Sequence, residues 1–359
     1  MNRNAIVGCV LGTAVGDALG LPYEKLSRGR AAKLLGPPDR YRLVFRRGMI
    51  SDDTEHTCMV AQSLIESGGD VDRFRRRFAR RMRWWIASLP AGTGKATARA
   101  AIRLWLGISP ERSGVSSAGN GPAMRAAIFG AALDDPAVMM PLLQASSRLT
   151  HTDPKAHHGA VAIALATSHA RTAQSIDAHR WLADVTDSIG DQDELTMLLG
   201  RVVQSTARNE STLDFANSIG LDQGVSGYTY HTVPIAIHAW LSYPDDFREA
   251  ITIAIRCGGD ADTTAAIVGG IVGARVGEAG IPAQWLDHLW EWPRSVAWMR
   301  NLGEQLGKSD WVADAKPSKS TTQIYAVSPT VNPLAIVLRN ACFLSIVLFH
   351  GLRRLAPPY

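Results

Sequence analysis

Glycine recurs at every fourth position in the opening of this chain. Gly8, Gly12, Gly16 and Gly20 punctuate "MNRNAIVGCVLGTAVGDALG". On a helix this spacing makes one stripe bare of side chains, along which another backbone can approach closely. Gly269, Gly273 and Gly277 repeat the spacing in "IVGGIVGARVG". Two such helices are expected to pack on each other in a core. The early Arg3 and the apolar run that follows also resemble a secretory signal. The stripe, with Asp17 interrupting the run, favours a buried first helix instead.

The remaining segments fit that picture. Ala, Leu and Ile recur at three- and four-residue spacing over 54–66, 73–87, 95–106, 122–133, 155–171, 232–241, 246–257 and 263–277, which reads as helix. No stretch alternates apolar and polar residues long enough for a convincing strand. An all-α domain over residues 1–308 is expected from a 359-residue chain that is 46% apolar and 20% charged. The net charge of +5 is too mild to imply nucleic acid. Cys9, Cys58, Cys257 and Cys342 are scattered and form no CxxC pair. That argues against zinc and against a disulfide framework, and fits a reducing, cytoplasmic setting.

Two acidic clusters stand at helix starts. "SDDTEHT" carries Ser51, Asp52, Asp53 and Thr54, and "CGGDADTT" carries Asp260, Asp262 and Thr263. Either could cap its helix, since hydroxyl and carboxylate oxygens accept from free N–H groups there. One acid suffices for a cap, however, and crowded carboxylates repel unless protons or a cation compensate. Hard oxygen ligands without His or Cys point to magnesium, manganese or calcium. Spacing alone leaves a metal site and two separate caps both open. If the glycine helices pack together, Asp260 and Asp262 approach Glu24, which follows the first helix in "GLPYE".

These motifs, with "GNGPAMR", "SRLTHTDPKAHHGAVAIALA" and "SGYTYHTVP" between them, resemble the ADP-ribosylglycohydrolases in content and order over about residues 3–300. The resemblance implies an all-α fold with a cleft holding two divalent cations, Mg2+ or Mn2+. It implies hydrolysis of the bond joining ADP-ribose to an acceptor, either a modified protein side chain or a small ADP-ribose derivative such as an O-acyl ester. By motif match the metal ligands would be Ser51, Asp52, Asp53, Asp260, Asp262 and Thr263, with Glu24 beside them as a general acid or base. Gly119, Asn120 and Gly121 match a loop that holds the ADP-ribose, and His151 lines the same cleft. A metal pair suits an oxocarbenium-like ribosyl transition state because sugar hydroxyls are hard ligands. A Gly-Asn-Gly turn entering a helix at Pro122 would offer amides to the diphosphate. Two departures stand out: Ala261 replaces a frequent threonine, and His231 stands where some relatives have an acid, which bears on the acceptor. The rival reading is a module that binds ADP-ribose without cleaving it; the retained oxygen donors favour the enzyme.

Three further stretches carry weaker signals. "LPAGTGKAT" lacks the first glycine and the final hydroxyl of a nucleotide loop, having Leu89 and Ala96 there, though it could still line the cleft. "DRFRRRFARRMRWW" places Phe74, Phe78, Met82 and Trp85 on one helical face, so its arginines read as a solvated face, with an acidic partner as the alternative. Residues 309–333 are polar and read as a linker to an apolar tail, 334–359. Arg339, Asn340 and His350 interrupt the tail, so it falls short of a membrane span. It reads as a docking or interfacial helix, and membrane association aided by Arg353 and Arg354 is the weaker alternative.

Overall fold

The computed structural model describes residues 3–308 and 326–353. Among these the chain is helical, with isolated β-bridges and no sheet. It opens with α1 (Arg3–Gly20), α2 (Arg28–Leu35), α3 (Asp52–Ser67), α4 (Val71–Ala87) and α5 (Lys95–Trp105). The short α6 (Gly121–Met124) and α7 (Ala127–Ala132) lead to α8 (Pro136–Thr150) and α9 (Pro154–Thr172). Next come α10 (Ala178–Ile189), α11 (Glu194–Ala207), α12 (Thr212–Ser218), α13 (Thr229–Ser242), α14 (Phe247–Arg256) and α15 (Ala261–Val276). The described chain closes with α16 (Ala283–Asp287), α17 (Val296–Lys308) and α18 (Pro333–Arg353).

The centre of the fold is α1 against α15. Every residue of α1 from Ala5 to Gly20 is buried, as suits a helix that is apolar all round. The two glycine stripes face each other. A Cβ on Gly8 would fall 2.1 Å from the Gly273 carbonyl oxygen, and one on Gly12 2.1 Å from that of Gly269. The seam continues past the glycines, with Gly16 on the Ala265 carbonyl and Gly20 on the Cα of Asp262. The packing therefore runs directly into the second acidic cluster. The remaining helices wrap this pair. Among them α4 buries Phe74, Phe78, Met82 and Trp85, and its Arg77 and Arg81 pair with Glu66 of α3. The arginine face is thus partly used within the fold.

One expected element differs. The helix read over 122–133 breaks between α6 and α7. At the break the Arg125 guanidinium turns into the core, donating to Ser146 and Thr150 and lying 3.2 Å from His56 Nδ1. Cys9, Cys58 and Cys257 are buried free thiols and Cys342 is exposed. Most of the expected linker (309–325), the Arg353 side chain and Arg354 lie outside the described residues. The tail helix α18 lies against the domain, burying Arg339, Asn340, Phe343 and His350. Its opposite face exposes Leu338, Leu348 and Phe349.

Candidate active site

Glu24 is placed by backbone hydrogen bonding. After α1 the chain turns so that the Lys25 amide donates to the Gly259 carbonyl at 2.7 Å, and the Gly259 amide donates to Leu26 at 2.9 Å. Gly258 and Gly259 both have positive φ, +70° and +75°, and a Cβ on Gly259 would sit 2.0 Å from the Val225 carbonyl oxygen. Only glycine meets both demands. The doublet before Asp260 therefore clamps the Glu24 segment to the start of α15. As a result, ligand oxygens of Glu24, Asp260 and Asp262 all lie within 4.8 Å of one another.

The first acidic cluster approaches from α3. Ser51 is its N-cap, accepting from the Asp53 amide. Asp53 is buried and accepts from Ser51 Oγ at 3.1 Å and from Thr263 Oγ1 at 3.3 Å. This contact joins the two clusters. Asp52 faces the cleft, whereas Ser51 and Asp53 lie behind its wall. The cleft has a volume of about 710 Å³. Glu24, Asp52, Asp260, Asp262 and Thr263 line it on one side, Gly119–Gly121 and His151 on another, and 92–97 and Ser226 complete it. The loop rejected as a nucleotide motif thus does border the site.

Burial raises the pKa of all four aspartates, and neighbouring acids add to the effect. Asp52 and Asp53 feel Asp17, and Asp262 feels Glu24 and Asp260. Asp260 is raised by burial while Asn120 opposes the shift. Two buried oxygens, Asp53 Oδ1 and Asp262 Oδ1, have no hydrogen-bond partner among the described residues. Such unpaired carboxylate oxygens are costly. An all-oxygen donor set with orphaned, mutually repelling carboxylates fits a hard divalent cation.

Three residues have roles that sequence reading did not assign. Asp17 accepts from the amides of Ser51 and Thr54 and from Thr54 Oγ1, fixing the start of α3. Burial outweighs these donors and pushes it up to about 6. Its isolation in an apolar run was the available signal. Arg125 is buried and forms no described ion pair, lying over Phe78. Burial lowers it to about 9 while the charge of Asp52 opposes the shift. Thr150 links Arg125 to His151, whose Nδ1 is 2.8 Å from Thr150 Oγ1. Burial, and then Arg125, push His151 down to about 3, so the ring is neutral.

Asn120 lines the cleft together with Gly119 and Gly121. Its side chain donates to Asp260 Oδ2 at 2.6 Å and to Thr232 at 2.9 Å. The amides of Gly119 and Asn120 are already spent on Ser117 Oγ and the Gly227 carbonyl. The turn therefore secures Asp260 and does not present those two amides to the cleft. The N-terminus of α5, at Gly94–Thr97, also borders the cleft.

A mostly helical body with an acidic, oxygen-lined cleft matches the all-α fold of the ADP-ribosylglycohydrolases. The profile of the ADP-ribosylglycohydrolase family matches residues 2–315, and the chain belongs to that family. It is 30% identical over 293 residues to the ADP-ribosyl-[dinitrogen reductase] glycohydrolase of Rhodospirillum rubrum, covering 79% of this chain and 89% of that one. It is 28% identical over 325 residues to the ADP-ribosylarginine hydrolase Tri1 of Serratia proteamaculans, covering 83% and 78%. A solved ADP-ribosylglycohydrolase-related protein complex aligns with a TM-score of 0.62 at 28% identity, covering 86% of this chain and 98% of that one. Family and relatives support an ADP-ribosyl hydrolase activity.

Proposed function

We propose that the protein hydrolyses the glycosidic bond between ADP-ribose and a protein side chain, with the help of divalent cations. The observation that carries this reading is the convergence of Glu24, Asp260 and Asp262 within 4.8 Å, beside Asp52, in a cleft of about 710 Å³. That volume suits a nucleotide-sized ligand. Asp52, Asp260, Asp262 and Thr263 would hold the cations, with Glu24 beside them, and Ser51 and Asp53 would brace them from behind. Bound there, Mg2+ or Mn2+ supplies Lewis-acid polarisation of oxygen ligands and favours deprotonation of water.

The chain's own groups do the rest. Water attacks the anomeric carbon as the bond to the acceptor breaks, and the acceptor leaves with a proton. Glu24 takes the proton from the water and delivers it to the departing acceptor. Asn120 keeps Asp260 aimed at the centre, and neutral His151 offers its free ring nitrogen as a hydrogen-bond partner. The start of α5, with Lys95, lies where a diphosphate would meet amide groups and positive charge. His231, whose Nδ1 is 2.8 Å from Oγ of the cleft-lining Ser226, is the residue expected to bear on linkage preference.

The test is release of free ADP-ribose from arginine- and serine-linked modified proteins, with Mg2+ and with a chelator. Release should require the cation. Glu24→Gln should lower kcat by about 10²-fold or more, in line with losing general-base assistance, whereas full activity of this variant would remove Glu24 from the role. Binding of ADP-ribose without release of either substrate would favour a binding module.

A further inference from the structure

The tail helix α18 lies beyond the family match, which ends at residue 315, yet it touches three segments that build the cleft. Arg339 Nη2 donates to the Ile50 carbonyl at 2.6 Å, immediately before Ser51 and Asp52. Asn340 Nδ2 donates to the Ser88 carbonyl at 2.8 Å and to its Oγ at 3.0 Å, at the root of the loop that carries Gly92–Thr97. His350 Nε2 lies 3.4 Å from the Pro22 carbonyl, two residues before Glu24. Phe343, with the Arg339 guanidinium 4.3 Å over its ring, packs on Leu21, Leu43 and Met49. The preceding segment also runs along α3, with Ser328 donating to Glu66 and Gln62 donating to Pro329.

Arg339 does more than cover a surface. It is 1% exposed and grips Glu291 with two nitrogens, Nε at 2.9 Å and Nη2 at 2.7 Å. Glu291 in turn accepts from the Ile50 amide at 3.1 Å. Both backbone polar groups of residue Ile50, its N–H and its C=O, are therefore held by one buried ion pair. Glu55, one helical turn after Ser51, belongs to the same cluster. It is paired with Arg294 at 2.7 Å, bonded to Trp85 Nε1 at 2.6 Å and 3.9 Å from Arg339. A buried fork of this kind fixes direction as well as charge.

We propose that α18 is a structural support behind the segments that line the catalytic cleft and that Arg339 is a positioning residue, setting the Ser51–Asp53 segment in the geometry that binds cations. The inference rests on the proposed metal-dependent reading of that cleft. Removing Arg339 alone would leave Glu291 buried and unpaired, which is strongly destabilising. The informative variants keep the charges balanced. Arg339→Lys retains the cation but loses the planar fork. Arg339→Met with Glu291→Gln removes both charges.

The experiment measures two quantities on the full chain: the melting temperature in chelator, and the dissociation constant of Mn2+ by calorimetry. Arg339→Lys and the double variant should melt within a few degrees of the wild type while binding Mn2+ at least about fivefold more weakly. Wild-type Mn2+ affinity in either folded variant would overturn the positioning role and reduce α18 to a cover. If the double variant does not fold, Arg339→Lys decides alone. Failure of the wild type to bind Mn2+ would overturn the metal reading itself, a different result from unchanged binding by the variants.

Discussion

Replacing both Asp260 and Asp262 with asparagine is expected to abolish ADP-ribose release, by about a thousandfold or more, while making the chelated protein more stable. The loss corresponds to roughly 4 kcal/mol of transition-state stabilisation. It follows from neutralising two of the three carboxylates that converge within 4.8 Å. The gain follows from the same crowding. Burial and neighbouring acids raise both carboxyls, so their charged forms oppose folding when no cation compensates. Neutral asparagines of the same shape relieve that repulsion, by about 1–3 kcal/mol. The sign has a pH signature. A carboxyl raised in the native state holds its proton more tightly there than in the unfolded chain. Its penalty is therefore absent below the ordinary carboxylate pKa, grows as pH rises from that value to the raised one, and is complete above it. The variant's advantage should be larger at pH 7.5 than at pH 5. Urea unfolding in chelator measures it, and added Mg2+ should stabilise only the wild type. A variant less stable than wild type at pH 7.5 in chelator would mean that the aspartates are satisfied without a cation.

The second large effect belongs to the helix seam. Gly12→Ala should lower stability by about 3–5 kcal/mol, the scale of severe core overpacking, and Gly12→Val should leave little soluble protein. A Cβ there would meet the Gly269 carbonyl oxygen at 2.1 Å, and Gly269 presents the reciprocal clash to the Gly12 carbonyl. Both obstacles are backbone, so no rotamer change relieves them. The helices would have to separate, parting Glu24 from Asp262, so any Gly12→Ala protein that folds should also bind Mn2+ more weakly. Gly200 is the control. It lies within α11 with nothing inside 4 Å of an added Cβ, so Gly200→Ala should raise stability by about 0.5–1 kcal/mol from helix propensity. Thermal melts of the three variants test the contrast. A Gly12→Ala protein melting with the wild type would contradict this account of the seam.

Much of this was legible in the residue order, for identifiable reasons. Period-four glycines carry their partner's geometry with them, so the α1–α15 contact and the approach of Glu24 to Asp260 could be anticipated. A hydroxyl–acid run at a helix start has few uses, so the two clusters could be singled out. What sequence did not yield depends on long-range partners. Asn120 looks like a turn residue until Asp260, 140 positions away, is seen to need its amide. Arg125 resembles any helical arginine until the chain breaks to bury it. The tail could be read as a docking or an interfacial helix, but its docking place could not, because nothing near Arg339 in sequence announces Glu291 or Ile50. Periodicity also joined α6 to α7, since it has no means of detecting a side chain that ends a helix by turning inward.

The α1–α15 seam has a consequence for how such a site tolerates change over evolution. The gap between Glu24 and Asp262 is set by peptide units in contact, along a line from Gly8 to Gly20. Most buried centres inherit their dimensions from side chains, and each core substitution lets them drift. Here the spacer is main chain, which mutation does not resize. Sequence divergence in the surrounding helices can then accumulate with little effect on the distance between the acids, while the glycines themselves are nearly immovable. A lineage of this architecture is free to rebuild its outer cleft for new acceptors and retain the same chemical centre.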